Sequence, residues 1–142
     1  LYREQDSSLQ LPTGAIRLNE LLPLLNALPV DLTFVDKDDR VAYFSDSKDR
    51  KFRRTKSVIG RTVQNCHPPQ SLDAVEKILK SFKEGRKDDH AFWITLRGRT
   101  VHIRYFAIRD PKGQYLGALE VTQDITDIKK LEGEKRLLDE RD

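Results

Sequence analysis

A single cysteine, Cys66, in 142 residues excludes an internal disulfide and fits a reducing, cytoplasmic setting. No run of residues approaches the ~20 apolar positions that a membrane helix needs, and no signal-peptide pattern opens the chain. Charge of one sign is scarce too. Lys and Arg number 26 against 23 Asp and Glu, so the net charge of +3 is too small to argue a nucleic-acid partner. Internal repeats and low-complexity tracts are missing. What is present is 37% hydrophobic and 35% charged residues, enough apolar material at this length for one core beneath a heavily charged surface. The chain starts at Leu1 rather than Met and reads as a piece of a longer polypeptide.

Residues 1–15, with Pro12 and Gly14, read as a polar linker. Leu18, Leu21, Leu22, Leu25 and Leu28 recur at helical spacing; Asn19 is a plausible N-cap and Pro29 a stop. Residues 30–36 and 40–46 are strand-like and flank the charged turn Lys37-Asp38-Asp39, which predicts a hairpin. A short basic helix is expected around Asp49–Lys56. Pro68-Pro69 predicts a rigid extended piece, after which Ser71 caps a helix with an apolar stripe of Leu72, Val75, Ile78, Leu79 and Phe82, ended by Gly85. Strands follow at 90–97, 99–109 and 115–123, turned by Gly98 and by Asp110-Pro111-Lys112-Gly113. Asp127 is expected to cap a last helix carrying Ile128, Leu131 and Leu138. Two hairpin regions around a helical segment predict one antiparallel sheet with helices on one face.

This element order resembles the PAS fold over residues 28–126. Val35-Asp36-Lys37-Asp38-Asp39-Arg40-Val41 resembles the opening PAS hairpin, and Asp110–Gly113 followed by Tyr115-Leu116-Gly117 resembles the last one. Asp124-Ile125-Thr126 is similar to the Asp-Ile-Thr that ends many PAS domains. The segments LPVDLTFVDKDDRVAYFS, VIGRTVQNCHPP, FWITLRG, VHIRYFAIRD and YLGALEVTQDIT resemble a bacterial and archaeal PAS subfamily often found after a hemerythrin-like HHE domain. The resemblance implies an α+β PAS fold: a five-stranded antiparallel sheet, helices on one face, and N- and C-terminal flanking helices. The domain layout expected from it is a linker at 1–17, the PAS domain with its N-terminal flanking helix at 18–126, and an output or linker helix at 127–142. A sensory, non-enzymatic role is expected with it.

Asn65-Cys66-His67 invites comparison with the flavin-binding LOV branch, where an Asn-Cys pair starts a helix and the cysteine attacks the flavin. Here His67-Pro68-Pro69 replaces the Arg-led stretch that contacts flavin phosphate, and residues 90–108 hold no Asn or Gln for the flavin's polar edge. No flavin is expected. The spacing of Cys66, His67, His90 and His102 lacks a zinc signature, so no metal site is expected. An axial histidine for haem iron at His67 stays open beside a structural role at a helix entry. The basic run Lys48, Arg50, Lys51, Arg53, Arg54 and Lys56 reads as a solvated helix, since no pair of stacking aromatics interleaves with it. No nucleophile stands beside a recognisable base, and catalysis has little support.

Alternation then places a pocket. Val101, Ile103, Tyr105 and Ala107 form one face of their strand; Phe92, Ile94 and Leu96 match them, and Leu119 and Val121 are expected to continue the set. Phe34, Phe44, Phe52, Ile59 and Val63 are expected to close the other side, with Cys66, His67, Thr95 and Tyr105 as polar handles. Such a pocket suits a small, mostly apolar ligand such as a fatty or aromatic acid. The alternative is a core filled by those side chains, leaving a module that dimerises or docks onto other domains of its chain. A homodimer through the terminal helices is the expected output, with no nucleic-acid or membrane partner.

Overall fold

The computed structural model describes residues 7–47, 50–63 and 69–139. Strands β1 (Ser8–Leu11) and β2 (Gly14–Arg17) lead into helix α1 (Leu18–Ala27), then β3 (Asp31–Asp36) and β4 (Val41–Phe44). Helix α2 (Pro69–Lys83) precedes β5 (Asp89–Leu96), β6 (Arg99–Arg109) and β7 (Tyr115–Asp124). The last five strands form one antiparallel sheet in the order β4-β3-β7-β6-β5, so the chain's first and last sheet strands, β3 and β7, lie side by side at its middle.

Two of the hairpins close through the same device. Asp36 Oδ1 accepts the backbone N–H groups of Asp38 and Arg40 at 2.9 and 3.1 Å. Asp110 Oδ1 likewise accepts from Lys112 and Gln114, both at 2.9 Å. A carboxylate that folds its own backbone this way fixes a turn without help from the core. The β5–β6 hairpin has two loop residues, Arg97 and Gly98, with φ of 50° and 78°. Both are positive, as the primed turns that match strand twist require.

Helix α2 presents Val75, Leu79 and Phe82 to the sheet, spaced i, i+4 and i+7 on one face. Phe82 is fully buried, which is worth about 1.5–3 kcal/mol of transfer free energy. The helix closes with Arg86 N–H donating to Ser81 O at 2.9 Å and Gly85 N–H to Phe82 O at 3.1 Å, the paired bonds of a Schellman end. Against it the sheet sets Val35, Val101, Ile103, Tyr105 and Ala118.

Five local expectations are corrected. Residues 8–17, expected as linker, pair as a hairpin in which Ser8 faces Arg17 and Leu11 faces Gly14. The N-cap of helix α1 is Arg17, not Asn19, because Glu20 Oε1 reaches back to the Arg17 N–H at 2.9 Å and satisfies it there. The described part of the basic segment, 50–55, is not helical; a single 3-10 turn follows at Lys56–Val58. Beyond β7, residues 127–139 hold two 3-10 turns, Ile128–Lys130 and Leu137–Asp139, in place of a helix. Between them Leu131 is extended and Gly133 sits at φ 62°, and glycine is a poor helix residue. Helix α2 also begins two residues before Ser71, at Pro69. A proline in the first turn lacks only an N–H that has no helical partner anyway.

Candidate functional site

The sheet face toward α2 is half polar. Register sets Val101 opposite Asp124, Ile103 opposite Thr122, Tyr105 opposite Glu120 and Ala107 opposite Ala118. On the other side of β7, Thr33 pairs with Glu120 and Val35 with Ala118. Thr33, Glu120 and Tyr105 therefore form a row across three adjacent strands. Leu119 faces Phe106 and Phe34, on the opposite side of the sheet. The inward placement of Phe34, Leu119 and Val121 is thus reversed. Both faces of β7 carry apolar side chains, and Leu32 and Val121 on the far face are only 8% exposed, so hydrophobicity alone does not mark the inner one.

The basic segment answers the polar row. Arg54 Nη2 binds Glu120 Oε1 at 3.1 Å and its Nε binds Thr33 Oγ1 at 3.1 Å. Arg50 Nη2 reaches the same hydroxyl at 2.8 Å, while its Nη1 donates to Ser45 O at 2.9 Å and its Nε to Phe52 O at 2.8 Å. Burial lowers the Arg50 pKa, with the Asp31 carboxylate opposing that shift. The reading of this segment as a solvated helix is overturned: Arg50 and Arg54 lie across the sheet and satisfy a half-buried carboxylate and a buried hydroxyl, while Arg53 between them is exposed. Tyr105 completes the row by donating its OH to Glu120 Oε2 at 2.8 Å. Burial, and then the adjacent carboxylate, push its pKa far above the ordinary tyrosine value.

Two spaces adjoin this row. The inner one is a cavity of about 20 Å³ between Val35, Val41, Val63 and Leu79, with room for about one water. The outer one is a cleft of about 730 Å³ between α2 and the β5–β6 edge. Arg54, Val75, Tyr105 and Glu120 line both and form the partition. Helix α2 contributes Ala74, Val75 and Ile78 to the cleft; the sheet contributes Phe92, Ile94 and Ile103. The Phe92 and Tyr105 rings are stacked, 6.2 Å apart and tilted by 23°. Its polar lining residues are Arg53, Arg54, Ser71, His90 and Glu120.

Of the residues expected at a pocket, Phe52, Ile94, Ile103 and Tyr105 meet at this cleft. Val101 is fully buried deeper in the core, and Val63 lines the inner cavity. Phe44 lies on β4 under the Arg50 guanidinium, 5.3 Å from its ring centre. Ile59 is half exposed and does not close the pocket. Cys66 and His67 lie outside the described residues. Sequence reasoning missed Arg53, Arg54, His90 and Glu120. The available signal was Glu120 alternating with Ala118 and Thr122 on a strand otherwise rich in apolar residues, with a basic run elsewhere to answer it.

A second, polar hollow of about 490 Å³ lies where the chain leaves β7, between Pro29, Val30 and Asp124. Asp124 there joins Arg99 Nε at 2.8 Å and Lys51 Nζ at 3.2 Å. The Arg99 bond, followed by hydrogen bonds from Thr126, holds the Asp124 carboxyl well below the usual carboxylate range. Among the described residues no group of three His, Cys, Asp or Glu side chains is arranged to hold a metal ion, and no helix is long and apolar enough to cross a membrane.

A family model described as "PAS domain" matches residues 21–126. The chain is similar to a crystal structure of a C-terminal domain from Streptococcus mutans, with a TM-score of 0.85 and 34% identity over 90% of this chain and 99% of that one. The PAS domain of BvgS from Bordetella pertussis matches with a TM-score of 0.57 and 24% identity, over 77% of this chain and 86% of the other. A PAS domain from Colwellia psychrerythraea shares the fold at a TM-score of 0.56 and 15% identity, over 78% and 98% of the two chains. Comparison with curated proteins finds no match. The five-stranded antiparallel sheet, the helix across its inner face and the match over residues 21–126 together show that the chain belongs to the PAS domain family.

Proposed function

We propose that this domain is a non-catalytic sensory module that binds a small, mostly apolar ligand in the cleft between α2 and the β5–β6 edge. The observation that carries this reading is the cleft itself. Its volume of about 730 Å³ falls in the range of small-molecule sites, and its walls are aromatic and aliphatic with a few polar groups among them. Glu120 on β7 links it to the exit of the domain, since Asp124 lies four residues further along the same strand. A ligand that favours one arrangement of the Arg54–Glu120–Tyr105 row over another would be felt where β7 hands over to residues 125–139. Native mass spectrometry of the purified domain, with extraction of any copurified molecule, is the test. A small apolar molecule retained at one per domain is expected; a bare mass, with no apolar compound binding on screening, would overturn the reading.

The inner cavity of about 20 Å³ favours a second reading, in which the packed core holds nothing and the domain acts as an interaction module. Both readings share an output through self-association in a cytoplasmic protein. Leu22, Leu24 and Leu28 are each about half exposed at the N-terminal helix and support a homodimer there. The segmental resemblance to the PAS branch that follows hemerythrin-like domains supports a place in such a polypeptide.

A further inference from the structure

The distribution of charge around the cleft goes further and rests on the ligand-binding reading. Among the described lining residues are two guanidinium groups, Arg53 and Arg54, against one carboxylate, Glu120. That carboxylate is already engaged twice, by Arg54 Nη2 at 3.1 Å and by the Tyr105 OH at 2.8 Å. Arg54 binds through Nε and Nη2, leaving Nη1 without a hydrogen-bond partner among the described residues. Arg53 is exposed and makes no ion pair or hydrogen bond among them. A further cation stands close by: Lys87 Nζ lies 3.5 Å from Nδ1 of His90, which lines the same cleft.

We propose that the cleft selects a ligand with a single anionic head, a monocarboxylate on an apolar body, and that Arg53 receives the head. The apolar body lies along Phe92, Ile94 and Ile78, described lining residues that carry no charge to be desolvated. The head meets Arg53, in a lining where positive charge is in excess. A guanidinium offers two parallel N–H donors to a carboxylate, which gives the contact direction as well as attraction. A cationic head would face two guanidiniums with only one carboxylate, itself already bound, to offset them. A neutral alcohol would gain the apolar contacts and no charge-assisted bond.

The test compares decanoate with decan-1-ol, an apolar chain of the same length without the charge, by titration calorimetry on the intact chain. Decanoate is expected to bind about tenfold more tightly than the alcohol. That preference should shrink as salt is raised, because Arg53 is exposed to solvent. In Arg53→Gln the ratio should fall toward one. Equal binding of the two probes, or a preference that survives in Arg53→Gln, overturns the assignment of the head while leaving the apolar cleft standing. Binding of neither probe overturns the assignment and the ligand-binding reading together.

Discussion

Tyr105 is the residue on which the site turns. Its ring stacks on Phe92, its hydroxyl holds Glu120, and it forms part of the partition between the inner cavity and the cleft. The phenol stays protonated in the fold because burial and the Glu120 carboxylate both oppose a second negative charge. Since the folded pKa lies above the ordinary value of about 10, this group's contribution to stability is fully present below pH ~10. It is lost as pH rises beyond that point, where the unfolded chain releases the proton and the fold does not. Tyr115 acts in the same sense; burial, then the Asp39 charge, raise it to about 12. Replacing Tyr105 by Phe leaves a half-buried carboxylate oxygen without its donor and should cost about 1–3 kcal/mol near neutral pH. Urea unfolding at pH 8 and pH 11 checks both statements. Tyr105→Phe should lose less stability than the parent between those two values, and an identical loss in both proteins would refute the account of the phenol.

At the scale of the element, the strand β7 joins everything else. It pairs with β3 and β6, carries Glu120 and Asp124 toward the inner face, and sets Gly117 between Asp36 and Ile108. A Cβ added at Gly117 would lie 2.2 Å from Val35 O and 2.9 Å from the Phe34 ring, on a backbone with φ of 154°. Backbone cannot yield there without breaking the β3–β7 pairing. Gly117→Ala should therefore lower stability by at least about 3 kcal/mol, a large part of what a domain of this size has. Gly98→Ala is the matched comparison, since Gly98 also has positive φ, 78°, but open space around its missing Cβ. It should cost only about 1 kcal/mol. Equal melting temperatures for the two variants would show that the close approach at Gly117 carries no weight. Strand positions and turns were legible because alternation and carboxylate-led turns are local signals. The face of β7 was not, because its polar residues Glu120 and Thr122 point inward, and Glu120 is satisfied there by Arg54, a residue distant in sequence.

At the scale of the molecule, the N-terminal hairpin and α1 stand apart from the main core. No residue of α1 is buried, and Leu9 and Leu11 on β1 are exposed together with Leu22, Leu24 and Leu28. Leu21 and Leu25 are half-buried, so a partner would meet Leu22 and Leu24, which flank them on the helix. Light scattering at micromolar concentration should give the mass of a dimer, and Leu22→Ser with Leu24→Ser should give a monomer of unchanged fold. A monomeric parent protein, or a dimer indifferent to both changes, would remove α1 as the interface. The C-terminal segment adds exposed Leu131, Leu137 and Leu138 without a continuous helix to align them, so it supplies no coiled-coil seam by itself.

By itself the sequence determined the order of the main elements, the hairpin turns and the α2 stripe of Val75, Leu79 and Phe82. Each of these depends on residues close together in the chain, and spacing or a side chain bonding its own backbone decides them. It also marked Tyr105, Ile103, Ile94 and Phe52, which alternation or aromatic bulk singles out. Only the tertiary structure decided which face of β7 lies inward, and that Arg50 and Arg54 cross the sheet. Those outcomes depend on the energy of a buried charge. A carboxylate such as Glu120 is tolerable inside only when a cation and a hydroxyl reach it. Arg54, 66 positions earlier, reaches it only once β3 and β7 have paired.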